Sequence, residues 1–253
     1  MLLRTLNMKM RSVATGLLIT VAFVAHAADD APHWGYGGEH GPEKWGDMEA
    51  GFSACKLGKE QSPIDIRNAT KSALPALDFE YTKSSAEVVN NGHTIQVNLV
   101  DGGVLNLDGV PYKLVQFHFH APSEEKINGK AYSMVAHLVH QSAEGKLAVV
   151  AVLLTEGRAN AALGPVFKNL PQTEGSKKTL GANLNAAELL PAARGYFRYV
   201  GSLTTPPCSE GVRWQVLKQP VEVSKAQIAA FRKLYNMNAR PVQPLNDRKV
   251  EEN

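Results

Sequence analysis

The chain has 253 residues, with 27 Lys and Arg against 24 Asp and Glu and 44% hydrophobic residues. Arg4, Lys9 and Arg11 account for the whole formal excess of +3, because no acidic residue precedes Asp29. The remainder is balanced in charge, which leaves no electrostatic footprint for nucleic acid, and no later segment approaches the ~20 apolar residues that span a bilayer.

In chain order, the three basic residues lead into an apolar run at 13–24 that ends in Ala25-His26-Ala27. A basic start, a short apolar stretch and a small-x-small ending form the pattern of a secretory signal peptide, with the mature chain beginning near Ala28. Met8 and Met10 are alternative starts, and no cysteine follows the cleavage point to carry a lipid anchor. The expected organisation is a signal peptide at 1–27 and one domain at 28–253, since all-β domains of this size commonly stay undivided. Residues 33–45, rich in Gly, Trp, Tyr and Pro, read as an irregular arm tied down by aromatics. Strand character follows at 86–89, 94–98, 105–107, 113–120, 134–142, 146–155, 196–203 and 212–221. These runs of Val, Leu, Tyr and Phe are punctuated by turn signals such as Asp101-Gly-Gly103 and Asn128-Gly129. Helical periodicity is clear only at 225–234, where Ser224 and Gln227 form a capping-box pattern; 161–170 and 186–190 are weaker helical candidates. The chain is β-dominated with helices at its edges. The unbroken apolar run at 147–154 fits a central strand buried on both faces.

Cys55 and Cys208 are the only cysteines. In an exported chain they read as one disulfide closing a very long loop.

The chemistry concentrates in Gln116-Phe-His-Phe-His120 and in His137-Leu-Val-His140. Residues i and i+2 of a strand share a face, so His118 and His120 project together. His137 lies far enough along for a return strand to bring it beside them. Two imidazoles side by side among phenylalanines need partners for their polar atoms, and a metal supplies them. Three histidines with a fourth position left to water form the arrangement of a catalytic zinc. His140, three residues past His137, faces the other way and reads as a hydrogen-bonded core histidine. Glu124, four residues after His120, also gives a cupin-like His-x-His-x3-Glu pattern. That alternative fails, because Tyr112 and Ala131 stand where the cupin pattern has glycine.

The order of motifs resembles that of the α-class carbonic anhydrases, of the bacterial exported type. It runs from His33-Trp-Gly-Tyr36 through Gln61-Ser-Pro-Ile-Asp65, Asn90-Asn-Gly-His93 and the histidine segments with Ser123-Glu124. It closes with Gly201-Ser-Leu-Thr-Thr-Pro-Pro207, Trp214 and Asn238-Ala-Arg-Pro-Val-Gln-Pro244. The resemblance implies a mainly β (α+β) single domain around a large, mostly antiparallel twisted sheet with short peripheral helices. It implies Zn2+ on His118, His120 and His137, and reversible hydration of carbon dioxide to bicarbonate by zinc-bound hydroxide. Thr204 would accept a hydrogen bond from that hydroxide and donate one to Glu124. Val139, Val149, Leu203 and Trp214 would line the apolar substrate pocket, with Thr205 beside the product. His93 would shuttle the proton, with Tyr36 and Asn90 ordering water. Gln116 and Asn238 would orient the first and second ligands, and Cys55–Cys208 would be the disulfide of exported members, bracing the loop that carries Thr204.

One position departs from the pattern. The family has glutamate two residues before the third histidine, and here that residue is Val135, which accepts no hydrogen bond. Either another group or water orients His137, or zinc is held less firmly; Val135→Glu is expected to slow zinc loss to a chelator. Other readings are a non-catalytic zinc-containing binding module of the same fold and a periplasmic metal carrier; a carrier calls for exposed histidine tracts, which the sequence lacks. The partners implied are carbon dioxide and bicarbonate only, with no nucleic acid or membrane anchor, the chain acting as monomer or homodimer. The compartment implied is the periplasm, with secretion as the alternative.

Overall fold

The computed structural model describes residues 33–253; the signal-peptide segment lies outside them. Fifteen strands run in chain order as β1 (Asp65–Ile66), β2 (Thr70–Lys71), β3 (Asp78–Tyr81), β4 (Lys83–Asn90) and β5 (Ile95–Leu99). Then come β6 (Gly103–Leu107), β7 (Val110–His120), β8 (Lys126–Ile127), β9 (Met134–Ser142) and β10 (Leu147–Glu156). The last are β11 (Lys177–Asn185), β12 (Tyr196–Ser202), β13 (Glu210–Leu217), β14 (Val221–Val223) and β15 (Glu251–Glu252). The helices are short: α1 (Trp45–Met48), α2 (Ala54–Leu57), α3 (Gly164–Lys168) and α4 (Lys225–Leu234).

Thirteen strands form one sheet, ordered β11-β4-β5-β7-β9-β10-β13-β12-β15-β2, with β6 pairing β7 and β3, and β14 pairing β10. Most pairings are antiparallel; β10 is parallel to β13 and β14, and β15 to β2. The expected mainly β fold around a large, mostly antiparallel sheet is the one observed.

The sheet carries an apolar layer on each face. One contains Phe117, Phe119, Leu138, Val150 and Val152, covered by Ile228 and Phe231 of α4. The other contains Val135, Val149, Ala151, Trp214 and Val216, with Ile64 and Ile66. Strand β10 feeds both layers, which is why its sequence shows no alternation. The Ser224–Gln227 capping box that starts α4 is formed from both sides.

A bulge in β7 decides which way its histidines point. Tyr112 and Leu114 belong to the first layer, and so do Phe117 and Phe119, although their parities differ. The register against β9 shifts between Leu114 and Gln116, leaving Val115 as the extra, 43% exposed residue. An inserted residue switches every later side chain to the opposite face. Gln116, His118 and His120 thereby leave the face they would share with Tyr112 and Leu114.

Element boundaries differ from expectation where local chemistry intervenes. The expected strand at 212–221 is split into β13 and β14, because Pro220 lacks the N–H a continuous ladder needs. The helical candidate at 161–170 shrinks to α3, and that at 186–190 is a 3-10 turn at Ala186–Leu189. Strand β11 escaped the pattern reading: it is Lys- and Asn-rich, contains Gly181, and pairs with β4 through an irregularity between Leu180 and Leu184.

Candidate metal centre

Adjacent strands β7 and β9 bring the three histidines together. His118 lies directly opposite His137, and His120 opposite Val135. One ring nitrogen from each of His118, His120 and His137 falls in a cluster within 4.8 Å. In each residue the other nitrogen is committed elsewhere. His118 Nδ1 lies 2.9 Å from Gln116 Oε1, and His120 Nδ1 lies 2.7 Å from the Asn238 carbonyl oxygen. His137 Nε2 lies 2.9 Å from Glu125 Oε1. Such acceptors fix the tautomers, so the nitrogens turned inward are Nε2 of His118 and His120 and Nδ1 of His137.

Burial and the neighbouring imidazoles keep the first two rings neutral. His118 is pushed down to about 3 by burial and by His137. His120 is lowered well below the ordinary value by burial, His137 and His118, against the Asn238 carbonyl. His137 goes the other way: burial lowers it, but the charge and hydrogen bond of Glu125 and the charge of Glu124 outweigh that. Neutral imidazoles offer the lone pairs that metals bind.

Glu124 closes the cluster. Its Oε1 accepts the Arg240 backbone N–H at 2.8 Å, and its Oε2 lies 3.4 Å from His120 Nε2 and 3.8 Å from His137 Nδ1. Burial pushes its carboxyl up to about 7, opposed in part by His137, the Arg240 N–H and the Thr204 side chain. Thr204 is buried in the loop after β12, where Cys208 N–H donates to the Thr205 carbonyl and Leu203 N–H to that of Ser209. The Cys55–Cys208 disulfide is formed and ties this loop to α2.

The apolar wall is a sheet row. Val139 pairs with Val149, and Val149 with Trp214, across β9, β10 and β13. Leu203 packs on the same layer, and Thr205 is half-buried beside Thr204. Trp214 meets the His137 ring edge-on, with centroids 4.9 Å apart, and donates to the Ser202 carbonyl at 3.0 Å.

The arm at 33–45 reaches the site's flank. Trp34 stacks on half-buried His93 at 3.6 Å, and His33 lies 5.7 Å from the same ring. Burial and His33 lower the His93 value, with Glu174 opposing. The Tyr36 hydroxyl is buried without a protein partner among the described residues. The Asn90 side chain is engaged by protein groups. Its amide donates to the Pro171 carbonyl, and its oxygen accepts from Gly92 N–H and the Tyr235 hydroxyl. It braces the turn that presents His93.

Two residues went unassigned in the sequence. Glu125 is visible there only as one of two consecutive acids, and nothing in the spacing says which ring it reaches. Arg240 stands within a matched motif, but its buried contacts to Gln61, Ser62 and Cys55 come from distant segments.

His140 lies on the opposite face, as expected. Its Nε2 is 2.6 Å from the Tyr81 hydroxyl and its Nδ1 3.3 Å from the Ala148 carbonyl.

Three histidine nitrogens converging on one face of a β-sheet form a donor set suited to a single metal ion. The sequence profile of the eukaryotic-type carbonic anhydrases matches residues 40–253. A carbonic anhydrase of Neisseria gonorrhoeae is 45% identical over 244 residues, covering 96% of each chain. One from Pectobacterium carotovorum is 42% identical over 237 residues, covering 93% of this chain and 97% of the relative. The α-carbonic anhydrase of Thermovibrio ammonificans, solved with sulfanilamide, superposes with a TM-score of 0.85 at 49% identity, over 87% of this chain and 98% of that one. The chain belongs to the eukaryotic-type, or α, carbonic anhydrase family. It is a carbonic anhydrase, and its reaction is the reversible hydration of carbon dioxide.

Proposed function

We propose that the reaction runs at a zinc ion held by His118 Nε2, His120 Nε2 and His137 Nδ1. The observation that carries this reading is the convergence of three ring nitrogens whose opposite nitrogens are all engaged. The donor set fits the ion. His120 Nε2 and Glu124 Oε2 are buried with no hydrogen-bond partner among the described residues, and each such atom costs ~1–3 kcal/mol unless a partner arrives. A cation at the triad answers the first, and the Thr204 hydroxyl answers the second.

When bound, zinc acts as a Lewis acid that lets water lose a proton near pH ~7, behaviour for which carbonic anhydrases are the standard example. The protein's own groups do the rest. Glu124 accepts a hydrogen bond from the Thr204 hydroxyl, leaving the Thr204 oxygen as acceptor toward the reacting water and fixing the direction of that water's lone pairs. Val139, Val149, Leu203 and Trp214 hold carbon dioxide, a substrate with neither charge nor donor, against an apolar wall, and Thr205 receives the product. His93 carries the released proton outward; its lowered value keeps the ring a neutral acceptor at neutral pH. Tyr36 supports the water path, while Gln116 and Asn238 hold the first two ligands in their tautomers.

Export to the periplasm is part of the same proposal, supported by the disulfide and by the basic–apolar pattern before Ala28. No helix among the described residues is long and apolar enough to cross a membrane.

Stopped-flow hydration of carbon dioxide tests the reading. The zinc-loaded protein should run far above background, with chelated protein and His120→Ala close to it. A zinc-loaded wild type at background would overturn the reading in favour of a non-catalytic binding module.

A further inference from the structure

Two of the three ligands take their orienting acceptor from a predictable place. Gln116 stands two residues before His118 on the same strand face, and the Asn238 carbonyl serves His120. The position equivalent to Gln116 on β9 is Val135, fully buried and directly across from His120. It has no acceptor atom. The acceptor of His137 instead enters from the connection between β7 and β8.

That acceptor is Glu125, itself fully buried. Its neighbours clamp the segment. The Ser123 hydroxyl donates to the Glu125 carbonyl at 2.8 Å and accepts the Tyr132 N–H at 2.9 Å. Ser123 N–H donates to the Tyr132 carbonyl at 3.0 Å. Immediately after Glu125, the chain pairs with β1 as β8. Two consecutive carboxylates therefore flank one imidazole: Glu124 approaches Nδ1 of His137, and Glu125 bonds Nε2.

We infer that Glu125 is the positioning residue of the third zinc ligand, and that Glu125 with Val135 is a relocated version of the strand-borne carboxylate. The inference rests on the zinc reading above. Glu125 fixes the His137 tautomer with Nδ1 free, raises the basicity of that nitrogen, and locks the ring against rotation about its strand.

The two positions are alternatives. His137 has one Nε2–H to give, so one carboxylate can accept it. A second carboxylate at 135 would be buried beside the first, with like charge and no partner, which is costly. This reverses the sequence expectation for Val135: placing glutamate there in the presence of Glu125 does not tighten the site. With Glu125 removed, however, glutamate at 135 can take over. The Gln116–His118 pair shows that a side chain of this length spans i to i+2 on a strand.

Zinc release from the holoproteins to an excess of chelator tests the inference, read as a rate by a metal-sensitive dye. Glu125→Ala should lose zinc ~10–100-fold faster than wild type, the range for removing an outer partner of a metal ligand. Glu125→Gln keeps the acceptor without the charge and should fall between the two. Val135→Glu alone should release zinc no more slowly than wild type. The double variant Glu125→Ala with Val135→Glu should recover to within a few-fold of wild type, a rescue that a merely structural role for Glu125 would not produce. If Glu125→Ala does not fold, Glu125→Gln and the double variant carry the same comparison. Release from Glu125→Gln and Glu125→Ala at the wild-type rate would overturn the inference, as would a double variant no better than Glu125→Ala, or Val135→Glu slowing release. Wild type that retains no zinc would overturn the zinc reading instead, so the two failures are distinguishable.

Discussion

Single residues on one strand are assigned opposite tasks by face alone. His137 and His140 are three residues apart on β9; one faces the histidine cluster and the other a core layer, against Tyr81. Burial pushes His140 down to about 4, opposed by the Ala148 and Leu138 backbone. Because the folded value lies below the ordinary 6.5, the unfolded chain takes up its proton first as pH falls. The contribution is complete above pH ~6.5, is lost progressively as pH falls to ~4, and amounts to about 3 kcal/mol. Urea unfolding of the metal-free protein at several pH values in that window measures it. His140→Leu with Tyr81→Phe removes both ends of the hydrogen bond and should give a flatter pH dependence than wild type; equal slopes would show that His140 is protonated without penalty. The histidine cluster was legible because i, i+2 spacing fixes a shared face. Glu125 was not, since a loop residue's reach depends on clamps such as Ser123 and Tyr132 that no local pattern encodes. The protein partners of Asn90 were not legible for a related reason: Pro171 and Tyr235 come from remote segments.

At the scale of elements, the bulge at Val115 is what converts an apolar strand into a ligand-bearing one. Periodicity located the strands of the central sheet because their apolar faces are long. It missed β3, β11 and the two-residue strands, whose pairing is set by neighbours rather than by their own side chains, and it overran Pro220. The parity change between Tyr112-x-Leu114 and Phe117-x-Phe119 is present in the sequence, yet only a core layer shared by both pairs turns it into a bulge. Deleting Val115 removes the extra residue and joins Leu114 directly to Gln116, so Phe117 and Phe119 keep the layer of Tyr112 and Leu114 by plain alternation. His118 and His120 then stay beside His137, and stoichiometric zinc binding should be retained. Val115→Ala, at an exposed position, should change stability by no more than ~0.5 kcal/mol and leave zinc content unchanged. Metal analysis of the purified variants reads both. A deletion variant that bound no zinc would show that the bulge itself, and not only the shared face of the histidines, is needed to set β7 against β9.

Across the whole molecule, the catalytic face is held by segments that start far apart in the chain. The disulfide spans a separation of 153 residues. Around it, Gln61 Nε2 donates to the Cys208 carbonyl, and the Arg240 guanidinium donates to Gln61 Oε1 and to the Ser62 and Cys55 carbonyls. The same Arg240 bonds Glu124 through its backbone N–H and lies over the Trp45 ring. The disulfide segment, Glu124 and Trp45 thus meet at one buried arginine, Glu124 through its backbone and the others through its side chain. The pairing of two cysteines was readable from their number; the arginine joining them to Glu124 was not, because its acceptors are mostly backbone carbonyls. Groups in one network do not contribute independently. Cys55→Ser with Cys208→Ser should cost ~2–5 kcal/mol, and Arg240→Met should be strongly destabilising because it strands three buried acceptors. Combining them should cost less than the sum, with a coupling of ~0.5–3 kcal/mol, since each change already loosens the segment the other one holds. A double-mutant cycle by chemical denaturation measures that coupling. Strict additivity would mean that the bridge acts only on the unfolded chain, leaving Arg240 alone to hold Glu124 in register with the Thr204 loop.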